Sequence, residues 1–267
     1  MFDEKYKAEG WLLCRSIQRH IPGLPIYVLC LDDVVYAEAL ERAVRPVLLV
    51  SLETKYPELL GIKEERSWPA YTQTCKTFLP SAVLEMHGEG PLVYVDSDMF
   101  FWGDPRIIEG ELGEASFMVV SREDSTRPAQ GAFNGGFFAC QNDDKAKAFL
   151  KWWQAETIKW CEWKPGPDGK FTEEGYLNII QDEPDRFPGT KICQHPGINL
   201  APWNSMRHTL ELAGEGVIVD EEWPLVCFHY QGFNLDVPNF GLGAEPKGPT
   251  RYLYRQYAGR LEGWLED

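Results

Sequence analysis

Asp96-Ser97-Asp98 places two carboxylates one residue apart, directly after the apolar run 92–95 and ahead of Met99-Phe100-Phe101-Trp102. Carboxylates at the C-terminal end of a strand sit where open α/β sheets place ligands, and oxygen donors so spaced hold a hard divalent cation. About one Asp-x-Asp is expected by chance in a chain of this kind. Its weight therefore comes from its position, against the plain reading of a solvated turn with helix-capping aspartates. His229, in Val226-Cys227-Phe228-His229-Tyr230-Gln231-Gly232, lies near the end of another apolar run. A histidine so placed is commonly a satisfied core residue. With Asp96 and Asp98, however, it completes a donor set for Mn²⁺ (or Mg²⁺) that leaves positions open for substrate oxygens.

Two further segments carry polar groups suited to a ligand. In Phe133-Asn134-Gly135-Gly136 the glycines permit close backbone approach, and Asn134 offers an amide able to bridge hydroxyls; the alternative is an ordinary loop entering a strand. Glu173 and Glu174 are adjacent at an expected helix start, where acidic residues also complement the helix dipole. Of the other histidines, His20 and His87 fall at helix ends, His208 reads as surface, and His195 lies in Gln194-His195-Pro196-Gly197, where it is placed to line a cleft.

The elements that must position these groups alternate. Leu12, Leu13, Ile17 and His20 follow helical spacing, and Pro22-Gly23 stops that helix. The run 26–31 predicts a buried strand, 34–43 a helix, 47–50 a strand, 71–87 a longer helix and 92–95 a strand. Further strands are expected at 117–120, 136–140, 191–194, 217–219 and 225–230, with helices over 143–162 and 250–265 and a long Gly/Pro/Asn-rich loop over 232–249. Phe149, Trp152, Trp153 and Trp160 read as a core stripe of the helix over 143–162. This alternation predicts an α/β fold.

The chain has 267 residues, 26 Lys plus Arg against 41 Asp plus Glu, and a net charge of −15. That balance argues against an autonomous nucleic-acid binder, since such a surface repels a phosphate backbone. An anionic substrate would need a bound cation to neutralise it. The seven cysteines are scattered without a C-x-x-C pair, and most sit in apolar runs, which predicts small buried hydrophobes in a reducing compartment. No apolar run is long enough to span a bilayer and the N-terminus lacks a signal-peptide core, so a cytoplasmic protein without a transmembrane segment is expected.

Taken in order, Val93-Tyr94-Val95-Asp96-Ser97-Asp98, Phe133-Asn134-Gly135-Gly136, Glu173-Glu174-Gly175-Tyr176-Leu177-Asn178, His195-Pro196-Gly197, Trp203-Asn204 and His229-Tyr230-x-Gly232 resemble the GT-A glycosyltransferases. The closer likeness is to bacterial nucleotide-diphospho-sugar transferases related to the retaining glycogenin and lipopolysaccharide galactosyltransferase group. The resemblance implies one GT-A (Rossmann-like) domain over 1–267, a central mixed sheet flanked by helices. Within it, 1–98 would be the nucleotide-binding half, 99–231 the donor and acceptor half, and 232–267 a C-terminal loop and helix. It implies metal-dependent transfer from a nucleotide-sugar, usually UDP-linked, to a saccharide or lipid-linked acceptor. Asp96 would touch the ribose and share the metal with Asp98 and His229. Asn134 would face a sugar, Glu173 and Glu174 would lie near the anomeric carbon, and Lys76, Gly135 and Gly232 would serve the donor. Phe100, Phe101 and Trp102 would stack on sugar faces or exclude water, and Trp203-Asn204 would form a turn behind the site.

Three positions depart from the family. Its first strand, part of the base pocket, precedes the residues matching Phe2-Asp3; here either that strand is missing or the start at Met1 is misassigned. Its Asp-Gln pair is Glu173-Glu174, and no lysine follows Gly232 to hold the diphosphate. These departures leave open a non-catalytic sugar-nucleotide-binding relative. A strand followed by Asp-x-Asp also suits phosphohydrolases of the haloacid dehalogenase type, which add a distinct lysine and a later acidic pair, but Asp143-Asp144 reads better as a helix start. There the motif normally lies near the N-terminus, whereas here it begins at Asp96.

Overall fold

In the computed structural model, residues 1–88, 90–123, 131–214, 216–235 and 246–266 are described. Of the loop expected over 232–249, positions 236–245 lie outside the described residues. In chain order the first elements are α1 (Lys7–His20), β1 (Tyr27–Cys30), α2 (Asp33–Leu40), β2 (Arg45–Leu48), α3 (Leu49–Lys55), α4 (Glu58–Lys63) and α5 (Trp68–His87). There follow β3 (Leu92–Val95), β4 (Met99–Phe101), α6 (Arg106–Leu112), β5 (Phe117–Ser121), β6 (Phe133–Cys140), α7 (Asp144–Lys159) and α8 (Ile179–Asp182). The last are β7 (Thr190–Ile192), β8 (Leu210–Ala213), β9 (Gly216–Val219), β10 (Trp223–Pro224), β11 (Cys227–His229) and α9 (Gly248–Glu266).

Packing divides the chain into two compact units: Met1–Pro46 with Asp96–Glu111 and Gln194–Asp267, and Val47–Val95 with Leu112–Cys193. The segments 1–98, 99–231 and 232–267 divide the chain by expected role, which is a different division.

In the first unit the caps set where helices begin. Asp32 Oδ1 accepts from Val35 N at 2.8 Å to start α2, and its other oxygen accepts from Glu4 N at 2.6 Å. Phe2 forms a parallel bridge with Cys30, and its ring meets Trp11 edge-on at 4.9 Å. β4 pairs antiparallel with β11 in the register Met99↔His229, Phe100↔Phe228, Phe101↔Cys227. β8, β9 and β10 form a three-stranded antiparallel sheet. Phe100, Phe228, Tyr230 and Leu12 pack with Leu253, Tyr254, Tyr257 and Leu261 of α9 in one core. This corrects one sequence expectation. Phe100 and Phe101 are 4% and 3% exposed, inside a strand covered on both faces, and no surface of theirs is open to a sugar. Trp102 is half-buried and donates from its indole to Tyr230 Oη at 3.1 Å.

In the second unit the sheet is mixed, in the order β3-β6-β5-β7: β6 runs antiparallel to both neighbours and β7 parallel to β5. α5 begins at Ser67, whose hydroxyl accepts from Ala70 N, and ends at Gly88, whose φ of +86° suits a residue without Cβ. Asp143 caps α7 through Ala146 N at 2.8 Å, so Asp143-Asp144 is a helix start. Of the expected stripe, Phe149 and Trp153 are fully buried against Phe117 and Phe138, with ring centroids 4.2 to 6.3 Å apart, whereas Trp152 is half-buried and Trp160 is half-buried just beyond α7. β6 is longer than its apolar run, because Phe133-Asn134-Gly135-Gly136 continues it through a register shift opposite Val119/Val120.

Candidate functional site

The first unit brings together the three groups expected to ligate metal. Asp96, Asp98 and His229 each offer a donor atom, and these atoms lie within 4.8 Å of one another. Asp98 directly precedes β4 and His229 ends β11, so the antiparallel register sets them side by side, and Tyr230 N donates to the Asp98 carbonyl at 2.8 Å. His229 Nε2 stands 3.0 Å from Asp98 Oδ1. The imidazole is buried while both aspartates keep partial exposure, which leaves the carboxylate side open to ligands. Trp203 meets the ring edge-on at 5.2 Å, and Asn204 Oδ1 accepts from Ala201 N to close the turn carrying that tryptophan.

The cluster's negative field reaches its neighbours. Burial first, and Asp98's charge second, push the hydroxyls of Tyr254 and Tyr257 up. Burial is also the main cause of the raised Glu9 carboxyl, with Asp98 adding to it. Two hard oxygen donors and one imidazole nitrogen suit a divalent cation of the Mn²⁺ or Mg²⁺ class. Gly232 lies in an exposed turn at φ +76°, three residues beyond His229. His195 is buried: its Nδ1 accepts from Gly197 N at 3.1 Å, its ring rests against Trp223, and burial holds it below the ordinary histidine range. His208 pairs with Asp220 at 2.7 Å.

The second unit gathers a different cluster: Lys76 from α5, Arg122 after β5, Asn134 and Gly135 in the β6 bulge, and Glu173-Glu174 at a 3₁₀ turn. All four charged side chains are buried. Lys76 Nζ donates to Glu173 Oε1 at 2.9 Å and lies 5.4 Å over the Tyr94 ring. Arg122 Nη2 is 2.6 Å from Glu174 Oε1. The bulge leaves Gly135 N out of the ladder, and it donates to Glu174 Oε2 at 3.1 Å, with Asn134 Nδ2 at 3.5 Å. A Cβ on Gly135 would meet Glu173 Oε1 at 2.6 Å, which explains glycine at this position. Burial is the main cause that pushes the Glu174 carboxyl up to about 7; Arg122 opposes it and Glu173 adds to it.

Sequence reasoning missed Arg122 and Asn199. Arg122 ends an apolar strand, where a charge ordinarily points to water, and no local spacing announces its partner. Asn199, buried beside His229, carried one usable signal: asparagine tolerates the left-handed backbone it adopts at φ +59°.

No family model matches the chain. YfnF of Bacillus subtilis (strain 168), described as an uncharacterized protein, is 28% identical over 237 residues, covering 84% of this chain and 77% of its own. The solved glycosyltransferase GlyE of Streptococcus pneumoniae TIGR4 matches with a TM-score of 0.57 at 18% identity over 99% of this chain, which spans 62% of GlyE's length. Mouse xyloside xylosyltransferase 1 matches with a TM-score of 0.53 at 12% identity, covering 87% of this chain and 96% of its own. At such identities the likeness establishes the fold. The chain has the GT-A-like α/β fold of glycosyltransferases, as its motifs led one to expect.

Proposed function

We propose that the chain is a metal-dependent glycosyltransferase that moves a sugar from a nucleotide-diphosphate donor, UDP-linked, to a saccharide or lipid-linked acceptor with retention at the anomeric carbon. The observation that carries this reading is the convergence of Asp96, Asp98 and His229 on a fold shared with glycosyltransferases. A divalent cation held by these residues would supply the Lewis acid that stabilises charge developing on the leaving diphosphate. Asp98 and His229 would hold the ion directly, and Asp96 would share it on the ribose side of the donor. The exposed turn at Gly232 gives the donor room near His229.

Within the second unit we assign Glu174 to the transfer step and Asn134 to sugar hydroxyls. Lys76 and Gly135 hold the carboxylate pair in place. Buried, partnered carboxylates keep one orientation, which is what positioned catalysis requires.

A thermal-shift titration with UDP, GDP and their sugars, with and without Mn²⁺, tests the proposal. A ligand that binds only the folded state adds about 2.7 kcal/mol at a hundredfold excess over its Kd. The expected result is a shift that needs both Mn²⁺ and a uridine diphosphate and that disappears in Asp98→Asn. A metal-dependent shift with GDP alone would correct the base, and no shift with any pair would overturn the reading.

A further inference from the structure

His229 is held by an oxygen at each ring nitrogen. Nε2 faces Asp98 Oδ1 at 3.0 Å, and Nδ1 faces Asn199 Oδ1 at 3.3 Å. His229 and Asn199 are each 1% exposed, so water does not compete for this second contact. Asn199 holds it from a backbone conformation that L-residues avoid, at φ +59°. Its surroundings enforce that conformation. Asn199 N donates to Cys227 Sγ at 3.2 Å, Leu200 N to the Cys227 carbonyl at 3.2 Å, and His229 N to the Leu200 carbonyl at 2.8 Å. The segment around Asn199 is thus stitched to β11, the strand that presents the imidazole.

Glycine would adopt this φ without strain. Asparagine tolerates it too and adds a side chain, whose Oδ1 here meets the Nδ1 edge of His229. We propose that Asn199 is a positioning residue for the metal site: its amide oxygen accepts the Nδ1 proton and so directs the Nε2 lone pair toward the cation position beside Asp98. Ligating histidines are characteristically oriented by a hydrogen bond from the other ring nitrogen, and its loss typically costs ~10- to 100-fold in metal affinity. The inference rests on the metal reading above.

Its test is the Mn²⁺ dissociation constant, by calorimetry, of the wild type, Asp98→Asn, Asn199→Gly and Asn199→Asp, with a thermal unfolding midpoint for each. Asn199→Gly keeps the backbone conformation and deletes the acceptor. It is expected to bind Mn²⁺ at least ~10-fold more weakly at an unchanged or higher midpoint. Asn199→Asp retains an acceptor and is expected to bind within a few-fold of wild type. If wild type and Asp98→Asn bind Mn²⁺ alike, or neither binds, the metal reading falls and this inference with it. If Asp98→Asn loses binding but Asn199→Gly binds within twofold of wild type, the metal reading stands and Asn199 has no positioning role. Binding by Asn199→Asp as weak as by Asn199→Gly would overturn the role equally.

Discussion

Arg122 Nη2 and Glu174 Oε1 lie 2.6 Å apart with the arginine side chain 1% and the glutamate side chain 11% exposed. The neighbouring Glu173 has a cation of its own in Lys76. Two adjacent carboxylates thus enter the interior, each beside a buried cation. Removing water from four charges is expensive, and such a group persists only when every member is paired.

Removing both partners should therefore cost less than the two single removals added together. Arg122→Met is expected to lose about 3–5 kcal/mol of stability, and Arg122→Met with Glu174→Gln distinctly less than the sum of the two single changes. A double-mutant cycle by urea unfolding checks this. Additive single effects would show that the contact contributes no coupling.

The raised carboxyl of Glu174 makes stability depend on pH. Its folded value of about 7 lies above the ordinary value of 4.5, so the folded state holds this proton more tightly than the unfolded one. The contribution is complete below the unfolded value and is lost as pH rises through the folded one. Urea unfolding of wild type and Glu174→Gln at pH 5 and pH 8 should show wild type losing ground to the variant as pH increases. A pH-independent difference would refute it.

Gly135→Ala should destabilise the second unit by about 1–3 kcal/mol, since its methyl would displace Glu173 from Lys76 or push against the Glu174 side chain. The unfolding midpoint measures it. A neutral substitution would mean the bulge widens without cost.

The cysteines should be nearly inert in the native state. Burial is the main cause that pushes Cys14, Cys75 and Cys140 up to about 12, it raises Cys161 further, and Cys227 is also buried. Iodoacetamide at pH 8 should modify at most Cys193, the one partly exposed thiol, until denaturant is added. Mass spectrometry before and after unfolding reads the outcome.

Much of the frame was legible because its signals are local. The strand at Leu92–Val95 is bounded by a Gly-Pro turn and by Asp96, and α7 announces itself through Asp143. What stayed illegible depends on partners remote in sequence. Met99-Phe100-Phe101 has the composition of either a ligand wall or a core strand, and only pairing with β11 decides for the core. β8 escaped notice because Glu211, Leu212 and Ala213 are all exposed, so no alternation marks it. Asp96, Asp98 and His229 could be named as a donor set, but their convergence follows from register. The pairing of Arg122 with Glu174 follows from burial, which spacing does not encode.

The ladder between β4 and β11 has one consequence beyond placing ligands. It joins residues about 130 positions apart, and closing a loop of that size costs chain entropy that the unfolded protein has not yet given up. An ion gripped by Asp98 and His229 would act as a clasp across that loop, withdrawing open conformations much as a cross-link does. A chelator would then slacken the whole first unit, with effects reaching well past the ion's immediate ligands.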